Sequence, residues 1–136
     1  VGADRRGCAG FDMDSQAPVV RAASLADVRD LLALAEKDDV QRVGLDEVLT
    51  GCIFFMLDAP GNRLGYALKP VGRELWIQAA GGDGAADLTS AGLTVIEGQA
   101  VGLFESVGFQ TRRAGLVRKA KKLGYIIDGY ILRKTI

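Results

Sequence analysis

The chain has 136 residues, 49% hydrophobic and 25% charged, a composition that fits one globular domain and excludes a disordered chain. No apolar run reaches the ~18–20 residues of a membrane span, and the longest, Cys52–Leu57, is strand-sized. Lys+Arg and Asp+Glu are both 17, which removes any global steering toward nucleic acid or membrane, and the absence of His excludes Ser–His and Cys–His nucleophile pairs and His-based metal sites within this chain.

In chain order, Val1–Gln16 carries Asp4, Arg5, Arg6, Asp12 and Asp14 with three glycines and lacks the apolar core of a secretory signal. It is expected to be a flexible leader (1–16) to a single domain (17–136), and the expected compartment is cytoplasmic. Cys8 and Cys52 form neither a disulfide framework nor a CxxC motif; Cys52 is expected to be a buried free thiol. Pro18–Ala23 reads as a short strand. Ser24 opens S-L-A-D, a capping box, and Leu25, Val28, Leu31, Leu32 and Ala35 then form one helical stripe ending near Lys37. Asp46–Leu49 predicts a shorter helix stopped by Gly51.

Cys52–Asp58, Leu64–Leu68 and Glu74–Ala80 predict a three-stranded meander, with turns at Pro60-Gly61-Asn62 and Pro70–Arg73. Gly81–Gly84 reads as a turn. Leu93, Ile96, Ala100, Leu103 and Phe104 mark a helix beginning near Asp87 or Thr89. Ser106–Thr111 predicts a strand, Ala114–Leu123 a helix closed by Gly124, and Ile126–Arg133 a last strand. The order β-α-α-β-β-β-α-β-α-β predicts an α/β (α+β) fold: a mixed, mostly antiparallel central sheet of about six strands with helices on both faces.

Charge is unevenly laid out. From Arg112 onward, eight basic side chains oppose Asp128 alone, a net +7, while the preceding 111 residues hold 9 basic and 16 acidic ones, a net −7. Arg112, Arg113, Arg118, Lys119, Lys121 and Lys122 therefore form a candidate anion or partner surface, against the simpler reading of a solvated helix face.

The opening VRAASLADVRDLLAL and the closing FQTRRAGLVRKAKKLGYIIDGYILRK, in this order and spacing, resemble the GNAT superfamily of acyl-CoA-dependent N-acyltransferases. In that family R-x-A-x-x-x-D is common at the first strand and helix, and K-x-G-[FY] closes the fourth helix, here Lys122-Leu123-Gly124-Tyr125. The resemblance covers about Pro18 to Lys134. It implies that acetyl-CoA or another acyl-CoA inserts between a bulged fourth strand and a splayed fifth one, pairing with main-chain groups. The pyrophosphate would rest on a glycine-rich turn at the next helix. Cofactor-binding candidates are then Ile77, Ala79, Gly81, Gly82, Gly84 and Ala85; no metal is expected.

The family turn [QR]-x-x-G-x-[GA] is met by Gln78–Gly82 but ends on Asp83. Asp83 and Asp87 place carboxylates where a pyrophosphate would lie, and the usual neighbouring cation is missing from the turn. The tyrosine that protonates the leaving thiolate aligns with Ala120. Glu74 reads as a general base or an exposed strand-start carboxylate; Tyr125 and Tyr130 as thiolate-orienting or packing groups; Trp76 as an acyl-pocket wall or core. Two functions follow: transfer of an acyl group from acyl-CoA to an amine, or a catalytically inactive GNAT-fold binding or assembly module using the basic helix, resembling divergent phage-encoded proteins of that fold. The expected partners are acyl-CoA with an acceptor amine, or a protein. A homodimer is an open alternative, nucleic acid is disfavoured by the acidic remainder, and no membrane is expected.

Overall fold

The computed structural model describes residues 18–33, 45–84 and 87–136. The leader, the end of the first predicted helix and Ala85 lie outside the described residues. The elements run β1 (Val19–Ala23), α1 (Leu25–Ala33), α2 (Leu45–Val48), β2 (Ile53–Ala59), β3 (Asn62–Val71), β4 (Glu74–Gly84), α3 (Thr89–Ala100), β5 (Ser106–Gly108) and α4 (Ala114–Lys122). They form an α+β fold around one five-stranded open sheet, ordered β1-β2-β3-β4-β5. The first three pairings are antiparallel, and only β4–β5 is parallel.

Local chemistry explains the element ends. The Ser24 N–H donates to Asp27 Oδ2 at 2.9 Å and the Asp27 N–H returns a bond to Ser24 Oγ at 3.3 Å, so the predicted capping box starts α1. Those bonds hold the Asp27 carboxyl below its ordinary value. The β2–β3 hairpin turns at Gly61, whose φ of 72° is left-handed.

Alternation along the strands sends side chains to two cores. Leu57, Tyr66, Leu68, Leu75 and Ile77 meet Leu93, Ile96 and Ala100 of α3 and Ala120 of α4. Met56 and Ala67, on the opposite face, meet Val28, Leu31 and Leu32 of α1 and Val48 and Leu49. Helices thus cover both faces, as predicted.

Two expectations are corrected. Gly81–Gly84 is not a turn. It continues β4, and Gly65, Leu64, Arg63 and Asn62 of β3 face Gly81, Gly82, Asp83 and Gly84 in register. The absence of bulky side chains hides this stretch from a pattern that recognises strands by apolar alternation. The predicted last strand over Ile126–Arg133 is not seen: among the described residues 126–136 joins no ladder, and the sheet they form has five strands.

Gly81 has a structural reason. A Cβ there would come within 1.8 Å of the Leu31 carbonyl oxygen, so α1 rests directly on the β4 backbone. Gly81→Ala is expected to lower stability by about 2–3 kcal/mol, the usual cost of forced overpacking. Gly98, in α3, has nothing within 4 Å of its Cβ position, and Gly98→Ala is expected to raise stability by about 0.5–1 kcal/mol. Urea unfolding midpoints check both.

Candidate functional site

The site is built by the unequal pairing of β4. Its first three residues pair with β5: Glu74 with Ser106, Leu75 with Val107 and Trp76 with Gly108. Ile77 and Ala79–Gly84 keep their β3 partners but, among the described residues, have no ladder partner on the other edge. The change coincides with a bulge. Ala67 faces Ala79 and Leu68 faces Ile77, leaving Gln78 as an extra residue on β4. A bulge bends its strand and sharpens its twist. It also reverses the in–out alternation, so Ile77 joins the α3 face whereas Ala79 joins the α1 face.

The closed end is clamped. The Glu105 N–H donates to the Arg73 carbonyl at 2.7 Å, and Arg73 Nη1 pairs with Glu105 Oε2 at 2.6 Å. Ser106 Oγ donates to Glu74 Oε2 at 3.0 Å. Gly108 fits under Trp76: a Cβ there would lie 2.9 Å from the indole Cζ3 and 2.8 Å from Glu74 Oε2. Beyond it the chain leaves the sheet through Phe109–Arg113 and enters α4. Among the described residues, β4 therefore has no ladder partner on its β5 side beyond Trp76.

The candidate residues distribute as follows. Ile77 is buried, Ala79 is half-buried, and Gly81 is buried beneath α1; Gly82 is exposed. Gly84 ends the strand. Glu74 lies at the clamped end, bonded to Ser106, and not along the open edge. Asp83 is held by Arg63 at 3.2 Å and Asp87 by Lys119 of α4, while Asp87 Oδ1 accepts the Thr89 N–H at 2.9 Å. Both carboxylates that oppose an anion are thus already matched by cations. Lys119 brings to the start of α3 the positive charge absent from the glycine segment. Only the packing of α4 against α3 brings these two residues together.

The chain matches no protein-family model and no curated protein. Its reading rests on geometry and chemistry.

Tyr125 lies behind this edge. Its ring packs on Phe109 at 5.7 Å and 60°. Its hydroxyl and Glu97 Oε2 are both cut off from solvent without a hydrogen bond. Burial first, and the Glu97 carboxylate beside it second, push the phenol far above its ordinary pKa. Tyr66 is buried too, stacked on Phe55 at 5.6 Å, and donates to Gln99 Oε1 at 3.0 Å. Burial lifts it to about 12. Ala120 is core, 4% exposed, in the α3–α4 seam. Trp76 is half-buried and Tyr130 is exposed. Arg112, Arg113, Arg118, Lys121 and Lys122 are exposed around α4, whereas Lys119 is half-buried by its ion pair.

Both buried phenols hold their protons more tightly in the folded chain than in the unfolded one, where they ionise near pH ~10. Their contribution is fully present below that pH and is lost as pH rises through it, reaching about 12 for Tyr66. Urea midpoints are expected to stay level to about pH 10 and fall above it. Tyr125→Phe should flatten that fall and, at neutral pH, raise stability by up to about 1 kcal/mol by removing an unsatisfied hydroxyl.

Proposed function

We propose that the protein is a GNAT-like acyltransferase that moves an acyl group from acyl-CoA to an amine. The observation that carries this reading is the bulge at Gln78 together with the parting of β4 from β5 after Trp76. An extended amide-containing arm, such as pantetheine, is the right shape and chemistry for a strand edge left open on one side. At the far end of that edge lie the start of α3 and Lys119, a setting for the phosphates.

The chemistry needs no resident cofactor beyond the thioester. A neutral amine attacks the thioester carbonyl, the C–N bond forms, the C–S bond breaks, and CoA leaves as thiolate. The proton lost from nitrogen passes to water, and water protonates the thiolate. Ala120 has no group to supply that proton, and Glu74 is engaged at the clamped end. The acceptor amine, small or protein-borne, would approach the thioester at the bulged stretch of β4.

A second reading has its own observation. The basic residues of the first strands pair within the fold, as in Arg21–Asp58, Arg63–Asp83 and Arg73–Glu105. Around α4, Lys119 alone has an ion pair of this kind with a described residue, and Arg118, Lys121 and Lys122 are exposed. A non-catalytic module that docks an acidic protein through α4 fits that surplus.

Calorimetry with acetyl-CoA and longer acyl-CoAs separates the readings. Saturable binding is expected, weakened at least about tenfold by Lys119→Glu, the loss of one charge-assisted contact, and unaffected by Lys122→Glu. Thiol release in the presence of an amine panel then marks the transferase. Absence of binding at millimolar acyl-CoA overturns it and leaves the docking module.

A further inference from the structure

Opposite sides of the sheet carry opposite charge. In sequence, Arg112 to Leu123 holds six basic side chains and no acidic one, whereas residues 25–48 hold seven acidic against three basic, a net −4. α4 packs through Ala120 on the face that carries Leu57 and Tyr66. α1 and α2 pack through Leu32 and Val48 on the face that carries Met56 and Ala67. Two layer spacings of about 10 Å each therefore separate the basic helix from the acidic pair, about twice the ~10 Å Debye length at 0.1 M salt. Within one chain the two charged surfaces cannot meet and are largely screened from each other.

The outer faces also match in spacing. Arg118, Lys121 and Lys122 are exposed at intervals of three and four, which places them on one side of α4. Gly115, one turn earlier, keeps that side low, and Arg118 Nη2 lies 3.6 Å from its Cβ position. On α1, Asp27 and Asp30 are exposed at an interval of three, and Arg29 Nη1 holds Asp46 at 2.6 Å, tying α2 and its exposed Glu47 to α1. Arg118–Lys121 and Asp27–Asp30 thus share the one-turn interval, so two helices laid side by side bring both cations to both carboxylates. Among the described residues, Arg118, Lys121, Lys122, Asp30 and Glu47 make no ion pair within the chain. The formal net charge is zero, so no overall repulsion keeps copies apart. Each surface finds its complement, in equal number, on a second copy.

We propose that α4 of one copy docks on the outer face of α1 and α2 of a second copy, with Arg118 and Lys121 facing Asp27 and Asp30. The contact joins unlike surfaces, so it is heterologous: each copy keeps one free surface of each sign, and assembly continues into a ring or a filament. The proposal rests on the docking role that the second reading gives to α4, and it names the chain itself as the partner. It does not use Lys119, and so leaves the acyl-CoA setting untouched.

Charge exchange in the full chain tests it, read as solution mass by light scattering and sedimentation velocity across a concentration series. The parent's mean mass is expected to rise above that of one chain, with affinity falling at least about tenfold between 0.05 and 0.5 M salt. Arg118→Glu with Lys121→Glu reverses the basic surface, and Asp30→Lys with Glu47→Lys reverses the acidic one; Asp27 stays because it caps α1. Each pair of changes should weaken association at least about tenfold. All four in one chain restore zero net charge with the signs exchanged, and should recover the parent affinity to within about threefold. Lys69→Glu with Lys134→Glu gives the same net charge as the basic-surface reversal but lies off both surfaces, and should keep most of the association. Far-UV circular dichroism and urea midpoints confirm that each variant is folded, since the changed positions are exposed. A parent that stays monomeric at 0.05 M salt overturns the proposal. If that monomer binds poly-glutamate and loses it with Arg118→Glu and Lys121→Glu, the docking reading survives with a different partner. A fourfold variant no better than either pair, or a control as damaged as the basic-surface reversal, also overturns the proposal.

Discussion

Gln78 is the one residue of β4 without a counterpart on β3, and that single insertion organises the centre of the molecule. Before it, β4 sends Leu75 and Ile77 toward α3; after it, Ala79 and Gly81 face α1. Without the bulge, strict alternation would keep all four on one side. Gly81 could not then receive the Leu31 carbonyl, and α1 would have to leave the sheet. The same insertion bends β4 where its contact with β5 ends. The second core is therefore a result of this backbone irregularity, which lies beside the point where the β4–β5 ladder ends.

The parted edge persists because its closed end is held and its open end is not. The Arg73–Glu105 pair is highly exposed and contributes little by itself. The main-chain bond from Glu105, the Ser106–Glu74 bond and the seating of Trp76 over Gly108 bring β5 to a fixed start. Past Gly108, Phe109 packs toward the α3 core and Tyr125 instead of continuing alongside β4. Burial of two aromatic rings outweighs a few further ladder bonds, each worth about 1 kcal/mol net.

Most of the frame was legible from patterning: the capping box of α1, the meander, the Leu93, Ile96 and Ala100 stripe of α3 and the cationic face of α4 all lie where residue spacing places them, although α3 ends at Ala100 and leaves Leu103, read into its stripe, exposed. The failures have physical causes. Gly81–Gly84 was expected as a turn because glycine weakens strands, yet here glycine is demanded by the approach of α1, and the β3 ladder holds the segment extended. Ile126–Arg133 has the composition of a strand, yet it joins no ladder among the described residues, and propensity alone does not supply one. Within the site, the Gln78 bulge left no mark in the ELWIQAA alternation. The Asp87–Lys119 pair joins residues 32 positions apart and arises only from the packing of two helices.

The arrangement also limits how a reaction here can be driven. The chain has no His. Glu74 is tied down at the clamped end, and the Tyr125 phenol keeps its proton behind α3 because ionising it beside Glu97 in a dry pocket is unfavourable. On the proposed reading, acyl transfer would depend on alignment, with the thioester held along β4 and the amine brought to it, a contribution that reaches several kcal/mol of barrier when reacting atoms are held in line. It would favour an acceptor that arrives already deprotonated or loses its proton directly to water. The backbone of β4, rather than any acid or base side chain, would then be what the proposed reaction uses.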